Sequence, residues 1–361
     1  MTQVKVDIVN NGKGGGGFAS QLNKISDLGY LRPFVGRDGV PKVSVYSGAG
    51  DRSKEESYIA VNVTSGTLRR EEWMALDNAI VPIAQSRLNG INDLRSNGLV
   101  YNLGNPMGTT VLESHTSGDA FEAEMSMDGV SRSKGDRQTF GSVYLPIPII
   151  HVDYDLNLRE LEASRKLGNS IDTTSAERAA RKVAEYLEGL LFLDKKYSFG
   201  GGTIYSYTNF EPRNLGTITS WTGSSKTGKE IVQDIIEGKQ LAVSKGYYGP
   251  YIVYVPNTYE GRLDEDYADN KGTNTIRERI LKIANIKDVK VSDQLADDNV
   301  LIVQMTPDVV RLVNGMGIQN VEWKSEGNFV TNYKVMTIQV PQIRCDQDGK
   351  SGIVHLSVAA E

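Results

Sequence analysis

The chain has 361 residues, of which 39% are hydrophobic and 24% charged, with a formal net charge of −5. That length supports about two or three domains with cores of their own, and so small a net charge excludes a nucleic-acid binder that works through a strong basic field over its whole surface. Cys345 is the single cysteine, so no internal disulfide can form and a reducing compartment is expected.

Residues 1–66 combine the stretch GKGGGG (12–17) with turn material in FVGRDGVPK and YSGAGDRSKEE. Short alternating pieces, VKVDIV at 4–9 and YIAVNV at 58–63, have strand character. The segment cannot bury enough surface alone, so it is expected to be an arm that orders against something else. A helix is predicted from Thr67 as its cap, through TLRREEWMALDNAIVPIAQSRLNGI, with Trp73, Leu76, Ile80, Ile83 and Leu88 on one face and a kink at Pro82. Residues 102–144 carry no helical period, and a structureless stretch of that length is usually functional. Its alternating pieces TTVLES and DAFEAEMSM are expected to pair as a long hairpin. An isolated hairpin is marginal in water and needs a partner surface. Glu122 and Glu124 share one face of it and read as solvated or interfacial, not as an acid–base pair.

The strand LPIPIIHVDYDLN and a connector ending at Asp172 follow. Next comes the clearest helix, TTSAERAARKVAEYLEGLLFLDKK, with a capping-box signature at Thr174 and Glu177. Its apolar stripe is Ala176, Ala180, Val183, Leu187 and Leu190 or Leu191. YSFGGGTIYSYTNF reads as a loop or hairpin. From 229 to 320 helix and strand alternate, with a helix at 229–245, the strand GPYIVYVP (249–256), helices near 257–266 and 274–284, and strands at 286–291 and 300–305. The tail returns to strands in IQNVEWKSEG, NFVTNYKVMTIQVPQIRC and GIVHLSV.

Chemistry is sparse. GSSKTGKE (223–230) approaches the phosphate-loop pattern, with Lys229 at the lysine position, but Glu230 stands where a hydroxyl would hold magnesium. LGTITSW before it is a poor buried parallel strand, and YIVYV after it runs into Pro256 and Asn257 instead of an acidic residue. The loop is therefore expected to be a turn into a helix. His151 and Asp153 share one strand face, a geometrically possible metal pair, but the bland reading of a solvated face is preferred. No triad, metal cluster or complete phosphate loop converges. The expectation is no enzyme activity, no cofactor and no catalytic or metal-binding residue. No apolar run is long enough to cross a bilayer, LPIPII at 145–150 included, and the N-terminus has no signal-peptide core.

Four stretches, in this order, resemble the encapsulins and the major capsid proteins of tailed phages: LRREEWMALDNAIV (68–81), PIPIIHVDYDLNLRELEASRKLGNSIDTTSAERAARKVAEYLEGLLF, GPYIVYVPNTYEGRL, and VVRLVNGMGIQNVEWKSEGNFVTNYKVMTIQVPQIR. The similarity covers about residues 67–361 and rests on the ordered set. The resemblance implies an α+β chain with the tailed-phage major capsid fold. Residues 1–66 would be the N-terminal arm, 102–145 the extended E-loop and 238–320 the axial domain. The peripheral domain would comprise 67–101, 146–237 with a spine helix at 173–195, and closing strands at 321–361.

On that resemblance the chain self-assembles into pentamers and hexamers of an icosahedral capsid. The implied partners are its own copies, packaged double-stranded DNA, and scaffolding, decoration and portal proteins, with no membrane. The implied location is the virion, assembled in the host bacterial cytoplasm. The alternative is an encapsulin nanocompartment that encloses cargo enzymes. The sixty or so residues before the Glu-Glu-Trp helix resemble a phage arm, whereas cellular encapsulins begin near that helix. Some phage relatives weld their shells with a Lys–Asn isopeptide bond. The candidates here are Lys134, Asn328 and Asn332 beside Glu326, although the family's motif for the bond does not match. Tyr247, Tyr248, Tyr251 and Tyr254 are candidate interface anchors in the axial region. Period two assigns Tyr251 or Tyr254 to a core instead.

Overall fold

In the computed structural model the described residues are 34–36, 38–46, 58–62, 68–86, 88–117, 125, 127, 140–167, 173–222, 226–267, 274–324, 330–346 and 348–358. Strands β1 (Phe34–Val35), β2 (Pro41–Tyr46) and β3 (Tyr58–Asn62) form a small antiparallel sheet in that order. The strand expected at 58–63 is therefore present, whereas 4–9 and Thr67 lie outside the described residues.

Helix α1 (Arg70–Ser86) runs through Pro82 and stops, and a separate helix, α2 (Asn89–Ser96), begins after Leu88. The single helix expected through residue 91 is thus two. Leu88 leaves helical backbone at φ −101°, ψ 64° and is buried. The next helix starts on a carboxylate supplied from elsewhere in the chain: Glu188 accepts from the Gly90 and Ile91 N–H groups at 2.6 and 3.3 Å. Trp73, Leu76 and Ile80 are buried on one face of α1 as the spacing required.

β4 (Val100–Asn102) leads to β5 (Val111–Ser117) and β6 (Phe140–Pro146), which pair antiparallel from Val111↔Pro146 to Ser117↔Phe140. The partner of VLESHTS is thus FGSVYLP and not DAFEAEMSM. Alternation shows that a segment is extended, but it does not name the strand it pairs with. β7 (Ile150–Asn157) runs directly into α3 (Leu158–Leu167), so the expected connector is partly helical. α4 (Thr174–Phe192) follows, and Ala176, Ala180, Val183, Leu187, Leu190 and Leu191 are all buried. Its cap is Thr173, not Thr174. That hydroxyl donates to Glu177 Oε1 at 2.6 Å, and no side chain caps the backbone. The expected capping box is therefore absent here.

β8 (Tyr197–Phe199) and β9 (Gly202–Ile204) make a tight hairpin. Gly200 and Gly201 take φ of +59° and +80° at its turn, which explains the GGG run. β10 (Asn214–Ile218), α5 (Gly228–Ser244), β11 (Tyr251–Pro256), a 3₁₀ turn at Asn257–Tyr259, α6 (Glu260–Leu263), α7 (Ile276–Leu281), β12 (Ile286–Ser292) and β13 (Asn299–Gln304) complete the alternating region. β14 (Val310–Lys324), β15 (Val330–Ile343) and β16 (Ile353–Val358) close the chain.

Two larger sheets organise the molecule. One has the order β4-β14-β15-β7 and the other β10-β16-β13-β11-β12. The closing stretch divides between them, because β16 inserts between β10 and β13. β10 is parallel to β16 at the edge of its sheet and alternates in burial, which accounts for its weak apolar signal.

β11 is buried at every position because its sheet is covered on both faces. Ile252, Tyr254, Leu301 and Val303 pack with the spine helix α4, and Tyr251, Val253, Val255, Val300 and Ile302 pack with α5 and α7. The YIVYV run is the sequence trace of that double cover.

Candidate functional site

The hairpin β5–β6 grows from a small core in which Leu145, Ile147 and Ile204 meet Val313, Ile338 and Val340. The Thr110 carbonyl accepts from the Ile147 N–H at 2.8 Å, and Ser114 Oγ accepts from Gln342 Nε2 on β15 at 3.1 Å. Beside this root, β9 packs so close that a Cβ on Gly202 would lie 2.2 Å from the Tyr144 carbonyl oxygen. Beyond the root the hairpin loses its support. Val143 is 47% exposed and Tyr144 41%, and Phe199 on the neighbouring hairpin is 54% exposed. Tyr197 is exposed beside Phe199. Glu113 and His115 on the facing strand are exposed too. Both hairpins thus present apolar side chains that the described residues do not cover, which is the feature expected of a contact surface.

Of the crosslink candidates only Asn332 is among the described residues. Lys134, Glu326 and Asn328 lie outside the described residues, as do Glu122 and Glu124. Asn332 is a ladder residue of β15, opposite Asp155 of β7 and Trp323 of β14. His151 Nδ1 lies 3.3 Å from Asp153 Oδ1, and Lys334 Nζ reaches the same carboxylate oxygen at 3.5 Å. A cation already neutralises that carboxylate. Among the described residues no group of three possible metal ligands comes together.

Of the phosphate-loop look-alike, residues 226–230 are described. Thr227 caps α5, its hydroxyl accepting from the Glu230 N–H, while the Glu230 carboxylate accepts from the Thr227 N–H at 2.7 Å. Glu230 thus occupies the positive helix end that a phosphate would need, and the Thr227 N–H holds its carboxyl below the usual range. Lys226 turns inward, donating to the Thr219 carbonyl at 3.0 Å and pairing with Asp234. Asp234 also accepts from Trp221 Nε1 at 2.8 Å. Residues 223–225 lie outside the described residues, and the described end of the look-alike is a helix cap beside a largely buried ion pair.

Of the four tyrosines proposed as anchors, Tyr251 and Tyr254 are both fully buried, on opposite faces of β11. Period two allowed one of them to face solvent, but the double cover leaves neither free. Tyr247 donates to the Lys350 carbonyl at 2.9 Å. Tyr248 is 64% exposed, the most of the four, and Tyr247 is partly exposed.

A polar seam escaped the sequence reading. Glu188 on α4 is buried, as is Asp93 on α2. Asp93 accepts from the Tyr254 hydroxyl at 2.9 Å and pairs with Lys290 of β12. Burial pushes Glu188 up to about 7 and also raises Asp93. The Tyr207 hydroxyl, fully buried nearby and stacked on Tyr254, has no hydrogen-bond partner among the described residues. The available signal was Glu188 itself, a carboxylate at a core position of the stripe Val183, Ala184, Leu187, Leu191.

A second ion pair fixes α1. Burial opposes the charge on Glu72, yet the Arg165 guanidinium of α3, at 2.7 and 2.8 Å, and the Arg69 N–H hold its carboxyl below the usual range. Trp73 beside it meets Tyr333 edge-on at 5.9 Å.

Comparison with known proteins bears on what this geometry belongs to. The shell protein EncA of a type 1 encapsulin from Myxococcus xanthus (strain DK1622) is 24% identical over 238 residues, 64% of this chain and 71% of that protein. Among solved structures, a virus-like particle from Pyrococcus furiosus superposes with a TM-score of 0.57 at 18% identity, over 80% of this chain and 100% of that one. The capsid of Myoviridae phage XM1 gives 0.55 at 12% identity, covering 73% and 91%. The capsid of a native GTA particle gives 0.52 at 12% identity, covering 74% and 90%. At these identities the likeness establishes the fold, which is that of tailed-phage major capsid proteins and encapsulin-like shells. Residues 62–356 match the model of a family described as a family of unknown function, DUF6260, and the chain belongs to that family.

Proposed function

We propose that this chain is the structural subunit of a closed, self-assembled protein shell, a phage capsid that encloses double-stranded DNA. The observation that carries the reading is the pair of hairpins whose apolar side chains find no cover among the described residues, on a fold shared with capsid and encapsulin shells. Marginal two-stranded elements of this kind gain their missing contacts from neighbouring copies. Head-to-tail contacts that close into rings give pentamers and hexamers.

In this reading 1–66 is the arm and 102–145 the E-loop. Residues 238–320 are the axial domain, and 67–101, 146–237 and 321–361 the peripheral domain. The exposed Tyr248 then lies at the start of the axial domain. The subunit acts without chemistry: it is no enzyme, its partners are its own copies with scaffolding, decoration and portal proteins, and it assembles in the host cytoplasm before it becomes part of the virion. No helix of the described residues is long and apolar enough to cross a membrane.

The likeness to EncA supports a second reading, a nanocompartment that encloses protein cargo. The arm preceding α1, with its three-stranded sheet, favours the capsid. Negative-stain electron microscopy of particles purified from the native source, followed by nuclease-resistant DNA quantification and mass spectrometry of the contents, separates the two. Closed shells holding DNA and tail proteins support the capsid, and shells holding an enzyme without DNA overturn it. A protein that stays monomeric at every concentration overturns both.

A further inference from the structure

The seam around α2 joins three parts of the chain through polar contacts. Its N-terminal N–H groups are held by Glu188 of the spine helix. Asp93 is held by Tyr254 of β11 and Lys290 of β12. Lys287 of β12 donates to Asn97 Oδ1 at 2.5 Å, and Arg95 donates to Gln339 of β15 at 2.9 Å. This eight-residue helix is therefore the bracket that ties the spine helix, the five-stranded sheet and the four-stranded sheet to one another. Gly90 sits tight against Phe192, where a Cβ would come within 2.9 Å of the ring, so the bracket has no slack at its Glu188 end.

We propose that this seam is a proton-operated latch: it is closed while Glu188 is neutral, and ionisation of Glu188 opens it, loosening α2 from the spine helix. The latch lies within one chain and does not depend on the shell reading.

The charge inventory supports it. The groups that face Glu188 are Asp93 on α2, Tyr207 from the segment after β9 and Tyr254 on β11, with Lys290 and Asp288 of β12 behind Asp93. Lys290 lies 3.7 Å from Asp288 as well as against Asp93. One ammonium thus already serves two carboxylates before Glu188 adds a third charge. A neutral Glu188 avoids that repulsion in a site with almost no solvent. The Gly90, Ile91 and Asn89 N–H groups favour the anion but do not outweigh burial, which places its titration near 7. The proton also makes Glu188 a donor in a cluster where the Tyr207 oxygen lacks a partner.

Opening hydrates Glu188 and returns it to an ordinary carboxyl value near 4.5. The opening equilibrium therefore rises with pH between those two values, by about tenfold per pH unit for one proton, and levels off above 7.

The test is hydrogen exchange of the full chain, read by mass spectrometry on peptides covering 88–97 and 251–256 at pH 5, 6, 7 and 8 and corrected for the intrinsic chemical rate. The expected result is a rise of about tenfold per unit from pH 5 to 7, a plateau above 7, and a flat profile in Glu188→Gln. Asp93→Asn removes the neighbouring negative charge and should move the plateau to lower pH. A wild-type profile without the rise, or a rise of equal size in Glu188→Gln, overturns the latch. Where Glu188→Gln fails to fold, Asp93→Asn decides: a plateau that does not move to lower pH overturns the proposal.

Discussion

Val143→Asp separates folding from assembly. Val143 stands on β6 opposite Ser114, whose hydroxyl reaches the Val143 carbonyl at 3.3 Å, and it is 47% exposed in the single chain. The backbone pairing does not involve its side chain, so in the isolated subunit the aspartate points its carboxylate into water and costs about 1 kcal/mol or less. At a subunit contact the accounting changes. Covering the remaining half of a valine is worth about 1 kcal/mol, and that gain is lost. A carboxylate buried there without a partner adds a desolvation cost of about 2–3 kcal/mol. The sum, about 3–4 kcal/mol per contact, corresponds to a rise of roughly two to three orders of magnitude in the concentration needed for assembly. Size-exclusion chromatography and negative-stain microscopy across a concentration series read the threshold, and thermal melting of the dissociated subunit reads folding. A variant that forms particles at the wild-type threshold with an unchanged melting temperature would show that this hairpin face is not a contact, and the central support for the shell reading would fall.

The remaining expectations are local. Gly202→Ala puts a methyl group 2.2 Å from the Tyr144 carbonyl oxygen, where only backbone can move, and should destabilise by about 2–3 kcal/mol. Gly261→Ala, in α6 with nothing within 4 Å, should be neutral or stabilising by up to about 1 kcal/mol, and urea melts of the pair compare them directly. Thr227→Ala removes the cap of α5 and should cost about 1 kcal/mol, while magnesium-ATP added to the wild type should leave its melting temperature unchanged. His355 accepts from Arg213 at Nδ1 (3.2 Å) and donates from Nε2 to Asn299 (2.7 Å). Burial first, then the Arg213 charge, depress it to about 4. A histidine held neutral in the fold binds fewer protons than its unfolded counterpart between pH 4 and 6.5, so stability rises with pH across that window, by up to about 3 kcal/mol. His355→Gln should flatten that limb in denaturant melts taken from pH 4 to 7, and a limb of unchanged slope would refute the assignment.

What was legible in the sequence follows from which physics is local. The stripe of α4 was readable because a helix repeats its core contact every three to four residues whatever it packs against, and each predicted stripe residue is buried. The hairpin was readable as extended structure, but its partner strand was not, since pairing is decided across the 22 positions that separate Ser117 from Phe140 and not by either strand's own pattern. Two Thr-x-x-Glu spacings, only the first of them read as a cap in the sequence, show the same limit at helix ends. Thr174 and Glu177 have the spacing, but the helix begins one residue earlier in register. Thr227 and Glu230, hidden inside a nucleotide-like motif, form the capping box.

The seam at Glu188 marks the boundary of what spacing can tell. A carboxylate on an apolar stripe announces that something must satisfy it. Its partners lie on a helix nearly a hundred positions earlier. Local sequence read the break before that helix as continuous, because the residue that satisfies the start of α2 belongs to a different part of the chain. The same holds for the phosphate-loop look-alike, where Lys226 is spent on an ion pair with Asp234 and Glu230 on the cap of α5.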